Sequence, residues 1–449
     1  MRRVVLLFLP LAIGFLVMPD TAARKGDARV VMISIDGLMP SSYTDPALAR
    51  YTPNLRALAA RGVWADGVVG VLPTVTYPSH TTLITGVPPA RHGIYDNQIF
   101  DPEGRSNGAW YWYANAIRVP TLPMAARARG LRAAAVTWPV TIGMDLDVVF
   151  PEYIGSRHEE SLQMLRVLSK PEGALDAAAR QRGTPFTWPQ TDRDRTDLAT
   201  YILTAHDPHV LLVHLIALDS AQHTYGPGSP EALKTLADVD ARVGEIIEVV
   251  RRLGRESSTT MTVVSDHGFL PLQHQLQPNA ALKQAGLLAV DARGAVTSWR
   301  AYFHSSGGSG YVYVKDAADR AAVAALLARL AQDPANGIRA VLDRDALAAR
   351  GAHPDADFGI DVVDGFYTGP AHDVLVKPST NKGGHGFSPD RPALHSALMM
   401  AGPTVGRRGS LGVVPMTSVA PTLAEILGVR LAPDAGQPLE VSHAPTTAR

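Results

Sequence analysis

The chain has no cysteine among its 449 residues. Disulfides, a thiol nucleophile, thiolate metal sites and a lipid-modified N-terminal cysteine are therefore excluded. Any metal must be held by His, Asp or Glu. Net charge is also missing, because 42 Lys plus Arg balance 42 Asp plus Glu. No global field draws the chain toward nucleic acid or anionic lipid, and no nucleic-acid-binding patch is evident. Internal repeats and low-complexity tracts are absent as well. Beyond the N-terminus no apolar run is long enough to cross a bilayer. The one run that approaches that length, Val4 to Met18, follows Arg2 and Arg3 and precedes the small residues Thr21, Ala22 and Ala23. Pro10 interrupts it. This pattern reads as a secretory signal peptide over residues 1–23 rather than a membrane anchor. A periplasmic or secreted protein follows, with no membrane span once the signal is removed.

What is present is a globular composition, 46% hydrophobic, long enough for one large domain or two to three ordinary ones. Four short β-branched or apolar runs end in polar residues: ARVVMISIDG at Asp36, LRAAAVTWP at Trp138, HVLLVHLIALD at Asp219, and TTMTVVSDHG at Asp266 and His267. Continuous apolar strands suit a sheet covered on both faces, which means parallel strands with helical crossovers. In such open α/β sheets the site lies beyond the carboxyl ends of the strands. Between the runs lie helical patterns. In SPEALKTLADVDARVGEIIEVVRRLG, Ser229 suits the cap and Pro230 the first helical position. Leu233, Leu236, Val239, Val243, Ile246, Ile247 and Val250 form one apolar stripe, and Gly254 ends the helix.

From Gln273 to Thr380 the texture changes, and few residues could do chemistry. GSGYVYVKD reads as a strand and AADRAAVAALLARLAQ as a short amphipathic helix. The expected organisation is a catalytic core over residues 28–272 and 381–440, interrupted by a small α/β cap over 273–380.

The chemistry-bearing residues gather in a few segments. PTVTYPSHTTLITG, Pro73 to Gly86, holds five threonines and a serine but no carboxylate. A hydroxyl there could act as a nucleophile only if something outside the segment lowered its pKa or took its proton. Thr81, Thr82 and Thr85 read as the start of a helix, with Thr74 and Ser79 flanking a turn. Elsewhere LDSAQH spaces Asp219 and His223 four apart, on one side of a helix. SDHG places Asp266 and His267 together, GGHG sets His385 between glycines, and SIDG ends in Asp36. A parallel sheet would bring these three Asp and three His to one edge. Without thiolates, such a set suits a zinc site built from nitrogen and oxygen donors.

In these stretches the sequence resembles the nucleotide pyrophosphatase/phosphodiesterase family of the alkaline phosphatase superfamily. The resemblance rests on ISIDG, PTVTYPSHTTLITGVPPARHGIYDN, PTLPMAARARGLRAAAVTWP, LDSAQHTYGP, VVSDHGF and GGHGF, which follow the family's order from Val30 to about Phe387. ALHSALMMAGP and VAPTLAEILGV resemble its C-terminal core segments. The resemblance implies an alkaline-phosphatase-like core, with a largely parallel central sheet and helices on both faces. It also implies two zinc ions per chain. Asp219, His223 and His385 match the ligands of one. Asp36, Asp266 and His267 match those of the other, which also takes the Thr76 oxygen. Thr76 matches the nucleophile, and Asn97 in YDN matches the asparagine that binds a phosphoryl oxygen. Ser79 stands where the family often has Asn, at a position that is not a ligand. Tyr77 and Tyr153 match aromatic walls that stack on a nucleobase, while Trp110 and Trp112 fall in the same region and Trp138 reads as packing.

The implied activity is hydrolysis of nucleotide phosphodiesters and pyrophosphates through a covalent threonine, with release of a nucleoside 5′-monophosphate. A charge count fits a diester. Two Zn²⁺, three carboxylates and a threonine alkoxide sum to zero, a centre that accepts a singly charged group. Related monoesterases add a Lys-x-Arg pair for the extra charge. This chain has none, and Arg157 and Lys170 stand isolated. Alternatives on the same fold are a diesterase of phospholipid-derived substrates (glycerophosphodiester or lysophospholipid) and an alkaline phosphomonoesterase. A sulfatase would need a Cys/Ser-x-Pro/Ala-x-Arg nucleophile motif, which is absent. A non-catalytic binding protein would not be expected to keep all six ligands and the nucleophile.

Overall fold

The computed structural model describes residues 27–106, 108–153 and 158–442. The expected signal peptide and Arg157 lie outside them. Eight strands form the main sheet: β1 (Arg29–Ile35), β2 (Val63–Trp64), β3 (Ala133–Val136), β4 (Val148–Phe150), β5 (Val210–Leu215), β6 (Thr259–Val264), β7 (Leu398–Ala401) and β8 (Gly409–Ser410). Their order is β8-β2-β7-β6-β1-β5-β3-β4. Every pairing is parallel except those of β7. Register places Ile35 beside Leu215 and Ser34 beside Val264, so β1, β5 and β6 end at one level.

Alternation along β1 shows why five of its seven residues are aliphatic or Met. Val31, Ile33 and Ile35 join one core, and Val30 and Met32 join another on the opposite face. A strand covered on both sides is apolar on both faces, and Ser34 is the buried exception near its end. Four helices position or support the chemistry-bearing residues: α1 (Thr76–Thr85), α2 (Asp192–Ala205), α3 (Ala217–Tyr225) and α4 (Pro230–Arg252). In α4 the Ser229 hydroxyl accepts the Ala232 N–H at 3.2 Å, as the capping pattern predicts. Leu236, Val239, Val243, Ile246 and Val250 bury its stripe against the Ile33 face of the sheet.

Within 273–380 a second sheet is antiparallel, ordered Ala301–Ser305, Ser309–Val314, Phe358–Val362, Ile338–Leu342. The expected strand and helix both form, the latter as Arg320–Gln332. The sequence limits of this unit are not its packing limits. Strand Leu270–Leu276 runs across position 273 and pairs with Gly365–Thr368, Val376–Pro378 and Gly383–Gly384. Leu270 and Phe387 both belong to the unit's apolar core, with Phe303, Val312 and Ile360. Among the described residues no helix is long and apolar enough to cross a membrane.

Candidate active site

Three adjacent strands deliver the acids. Asp36 follows β1, Asp266 follows β6, and Asp219 lies in the first turn of the helix that leaves β5. Gly37 makes the first turn tight enough. Its φ is +71°, its N–H donates to Asp266 Oδ1 at 3.1 Å, and a Cβ there would sit 2.8 Å from the Phe269 ring. α3 is held from outside itself. The buried Asp192 carboxylate accepts the N–H groups of Ile216 and Ala217 at 2.9 and 3.0 Å and pairs with Arg195 at 2.9 Å. That anchor fixes Asp219 and, one turn on, His223, whose Nε2 is 3.3 Å from Asp219 Oδ1.

The histidines arrive with their tautomers set. His223 Nδ1 faces the Gly383 carbonyl at 2.9 Å, His385 Nδ1 the Thr74 carbonyl at 3.0 Å, and His267 Nδ1 the Gly268 carbonyl at 3.3 Å. A carbonyl can only accept, so each Nδ1 carries the proton and each Nε2 keeps its lone pair. Those lone pairs point at the acids. His267 Nε2 lies 3.4 Å from Asp36 Oδ1 and 3.2 Å from Asp266 Oδ2, and His385 Nε2 lies 3.6 Å from Asp219 Oδ1. The His267 and His385 rings stack at 3.5 Å.

Two compact donor sets result, Asp36/Asp266/His267 and Asp219/His267/His385, with His267 common to both. His223 joins the second through Asp219. Asp36 Oδ1, Asp219 Oδ1, Asp266 Oδ2 and His267 Nε2 are buried without a hydrogen-bond partner. Leaving four such atoms unpaired costs several kcal/mol. All four are metal donors, so the pattern fits cations held among them and does not fit a hydrogen-bonded polar core. Burial, then the neighbouring acids Asp266 and Asp219, hold the Asp36 carboxyl well above its usual range, and burial raises Asp266 too. Burial also lowers His385 and, to about 4, His267. For Asp219 burial pushes upward, but His223, His385 and His267 outweigh it and hold the carboxyl low.

Thr76 opens α1, nearly enclosed at 9% exposure. The helix therefore begins five residues before Thr81, earlier than the sequence pattern indicated. Thr81 and Thr85 lie inside it because their hydroxyls bond back to the carbonyls of Tyr77 and Thr81, at 2.8 and 2.7 Å. The Thr76 carbonyl accepts from His80 Nδ1 at 2.8 Å. His80 Nε2 accepts the Ser34 hydroxyl of β1 at 2.8 Å, and its ring is 3.7 Å from Asp266 Oδ2. One imidazole thus clamps the first turn of α1 to the strand end that carries the acids. Two residues before Thr76, Thr74 binds the His385 loop, its hydroxyl accepting the Gly386 N–H at 3.1 Å.

Asn97 is brought to the same turn, its Oδ1 accepting the Tyr77 N–H at 2.8 Å and its amide N–H groups left over. Tyr153 is half-buried beside Trp112, ring centroids 5.0 Å apart. Tyr77 corrects the expectation of a stacking wall. Its ring is fully buried among Ile94, Val140 and Trp110, with Trp110 edge-on at 5.3 Å, and presents no face to a ligand. Trp138 is fully buried packing, as expected. Sequence reasoning missed His80, His214 and Asp192. His214, on β5, contacts Asp36 Oδ2 at 3.2 Å. A histidine within the apolar run VLLVHL, and one four residues after Thr76, were the available signals.

Comparison with known proteins places the chain in a family. The model of the type I phosphodiesterase/nucleotide pyrophosphatase family matches residues 30–365, three quarters of the chain. The chain belongs to that family. It is 27% identical over 265 residues to an uncharacterised pyrophosphatase/phosphodiesterase of Schizosaccharomyces pombe, covering 54% of this chain and 45% of that protein. It is 27% identical over 233 residues to human ectonucleotide pyrophosphatase/phosphodiesterase family member 1, covering 48% and 21%. The chain thus spans half or less of the length of these two relatives. Murine ectonucleotide pyrophosphatase/phosphodiesterase 5, solved as an inactive variant with AMP, shares the fold at 19% identity and a TM-score of 0.66, over 91% of this chain and 97% of that one.

Proposed function

We propose that the protein is a secreted or periplasmic two-zinc phosphodiesterase acting on small nucleotide phosphodiesters and pyrophosphates. The observation that carries this reading is the set of buried, unpartnered donor atoms of Asp36, Asp219, Asp266 and His267 beside the first turn of α1. Asp219, His223 and His385 would hold one ion, and Asp36, Asp266, His267 and the Thr76 oxygen the other. Bound there, the ions supply Lewis-acid stabilisation of phosphoryl charge and lower the pKa of a nearby hydroxyl.

The chain's own residues do the rest. Thr76 attacks phosphorus, forming an Oγ1–P bond as the bond to the leaving oxygen breaks. Water then cleaves the phosphothreonine diester and frees a nucleoside 5′-monophosphate. Asn97 donates its free amide hydrogens to a non-bridging oxygen. Tyr153, with Trp112 behind it, offers a face for a base, a contact worth about 1–3 kcal/mol. The AMP-bound relative supports a nucleotide substrate, and the missing Lys-x-Arg pair supports a diester over a monoester.

Comparing kcat/KM for a nitrophenyl nucleotide diester, a nitrophenyl glycerophosphodiester and nitrophenyl phosphate tests the substrate class. The nucleotide diester is expected to lead by at least tenfold. A lead by the glycerophosphodiester or the monoester overturns the nucleotide assignment. Elemental analysis showing no zinc, with no activation on adding it, overturns the two-metal reading.

A further inference from the structure

Two strands of the inserted unit meet in a short turn, Ser306-Gly307-Gly308-Ser309, closed by the Ser306 N–H donating to Ser309 O at 2.9 Å. The turn contacts two loops that carry proposed site residues, those of Asn97 and His385. One arm runs to Asn97. The Ser306 hydroxyl donates to the buried Asp96 Oδ2. Asp96 Oδ1 accepts the Asn97 N–H at 2.6 Å, and Asn97 Oδ1 accepts the N–H of the residue after Thr76. The other arm runs to His385. The Gly308 N–H donates to the His385 carbonyl at 2.8 Å, and the Ser309 hydroxyl donates to the Gly386 carbonyl at 2.5 Å. The backbones meet so closely that side chains are excluded. A Cβ on Gly386 would lie 1.8 Å from Ser306 O, and one on Gly308 2.1 Å from the Phe387 ring. Thr368, from the same unit, locks the turn by donating its hydroxyl to Gly307 O at 2.6 Å.

We infer that the inserted unit is a positioning device, in which the Ser306–Ser309 turn sets both the phosphoryl-binding Asn97 and the metal-binding His385. This rests on the proposed roles of those two residues. None of its four residues belongs to the proposed metal or phosphoryl ligands. It acts through Asp96 on one side and through the His385–Gly386 peptide on the other, so the two arms are separable.

The test uses the whole chain with Ser306→Ala, Ser306→Thr and Ser309→Ala, each read three ways: kcat and KM on a nitrophenyl nucleotide diester, the rate of zinc loss to a chelator, and melting temperature. Ser306→Ala is expected to lower kcat about tenfold with zinc loss unchanged, and Ser306→Thr to restore most of it, because the hydroxyl returns. Ser309→Ala is expected to speed zinc loss about tenfold, the size of effect that groups behind a metal ligand usually have. Folded alanine variants with wild-type kcat and zinc retention, altered only in melting temperature, would overturn the inference and leave the turn a packing element. Zinc loss is read without substrate. A wrong substrate class therefore shows in the wild-type chain's activity panel and leaves the Ser309 arm standing.

Discussion

Replacing Asp192 with alanine removes the anchor that holds the helix of Asp219 and His223, although Asp192 touches neither. Its carboxylate accepts the N–H groups of Ile216 and Ala217 and pairs with Arg195. The side chains of that pair are 8% and 12% exposed, so the lost partners are not replaced by bulk water. Loss of a cap costs about 1 kcal/mol. Breaking a buried pair while leaving one charge behind costs about 3–5 kcal/mol. The two overlap, because one carboxylate serves both, and a total of about 4 kcal/mol results. Urea unfolding of Asp192→Ala is therefore expected to show about that loss, and Asp192→Asn, which keeps one acceptor, a smaller one. Zinc retention should fall in both, since the start of α3 is released. A loss below about 1 kcal/mol for Asp192→Ala, with zinc retention intact, would refute the reasoning.

Other expectations rest on the same packing. Burial pushes the Glu152 carboxyl up from 4.5 to about 7. The folded metal-free chain then holds a proton that the unfolded chain releases, so stability falls as pH rises from 4.5 to about 7. At about 1.36 kcal/mol for each pH unit, the fall is at most about 3 kcal/mol. Glu152→Gln should make that slope shallower in chelator-treated protein without abolishing it, because Asp36 and Asp266 are raised too, and an unchanged slope would place the titration elsewhere. Tyr77→Ala is expected to cost about 3–5 kcal/mol of stability as a core truncation, whereas Tyr153→Ala should raise KM for the nucleotide diester and leave the melting temperature nearly unchanged. The reverse pattern would restore Tyr77 as a stacking wall. His80→Ala should lower kcat more than tenfold with KM nearly constant, because α1 loses its tie to Ser34 while the substrate contacts stay; a change confined to KM would contradict the clamp.

Asp36, Asp219, Asp266 and His267 were legible in the sequence because each comes at the end of an apolar run, and parallel strands end at one edge, whereas His385 stood out only by its glycine neighbours. Asp219 and His223 were legible as a pair from their helical spacing alone. What stayed hidden depends on long-range packing. Nothing local distinguishes Tyr77 enclosed by Trp110 from Tyr77 facing a ligand, since both look like an aromatic after a hydroxyl. The start of α1 at Thr76 was masked by threonines, which are poor helix formers until their hydroxyls find i−4 carbonyls inside a buried turn. Asp192 reads as one acid in a charged stretch, and its value comes from Ile216, twenty-four residues on. The Ser306–Ser309 turn sits in a segment with little visible chemistry, because its hydrogen bonds run mostly through backbone to loops far away in sequence.

The central claim is that Thr76 becomes covalently phosphorylated during turnover. Acid quenching of the enzyme during hydrolysis of a nitrophenyl nucleotide diester, with mass spectrometry of the peptide containing Thr76, measures this directly. The predicted result is a nucleoside-monophosphoryl adduct on Thr76 that is absent without substrate and absent from Thr76→Ala. Active turnover with no adduct on that peptide, together with wild-type activity in Thr76→Ala, would contradict it.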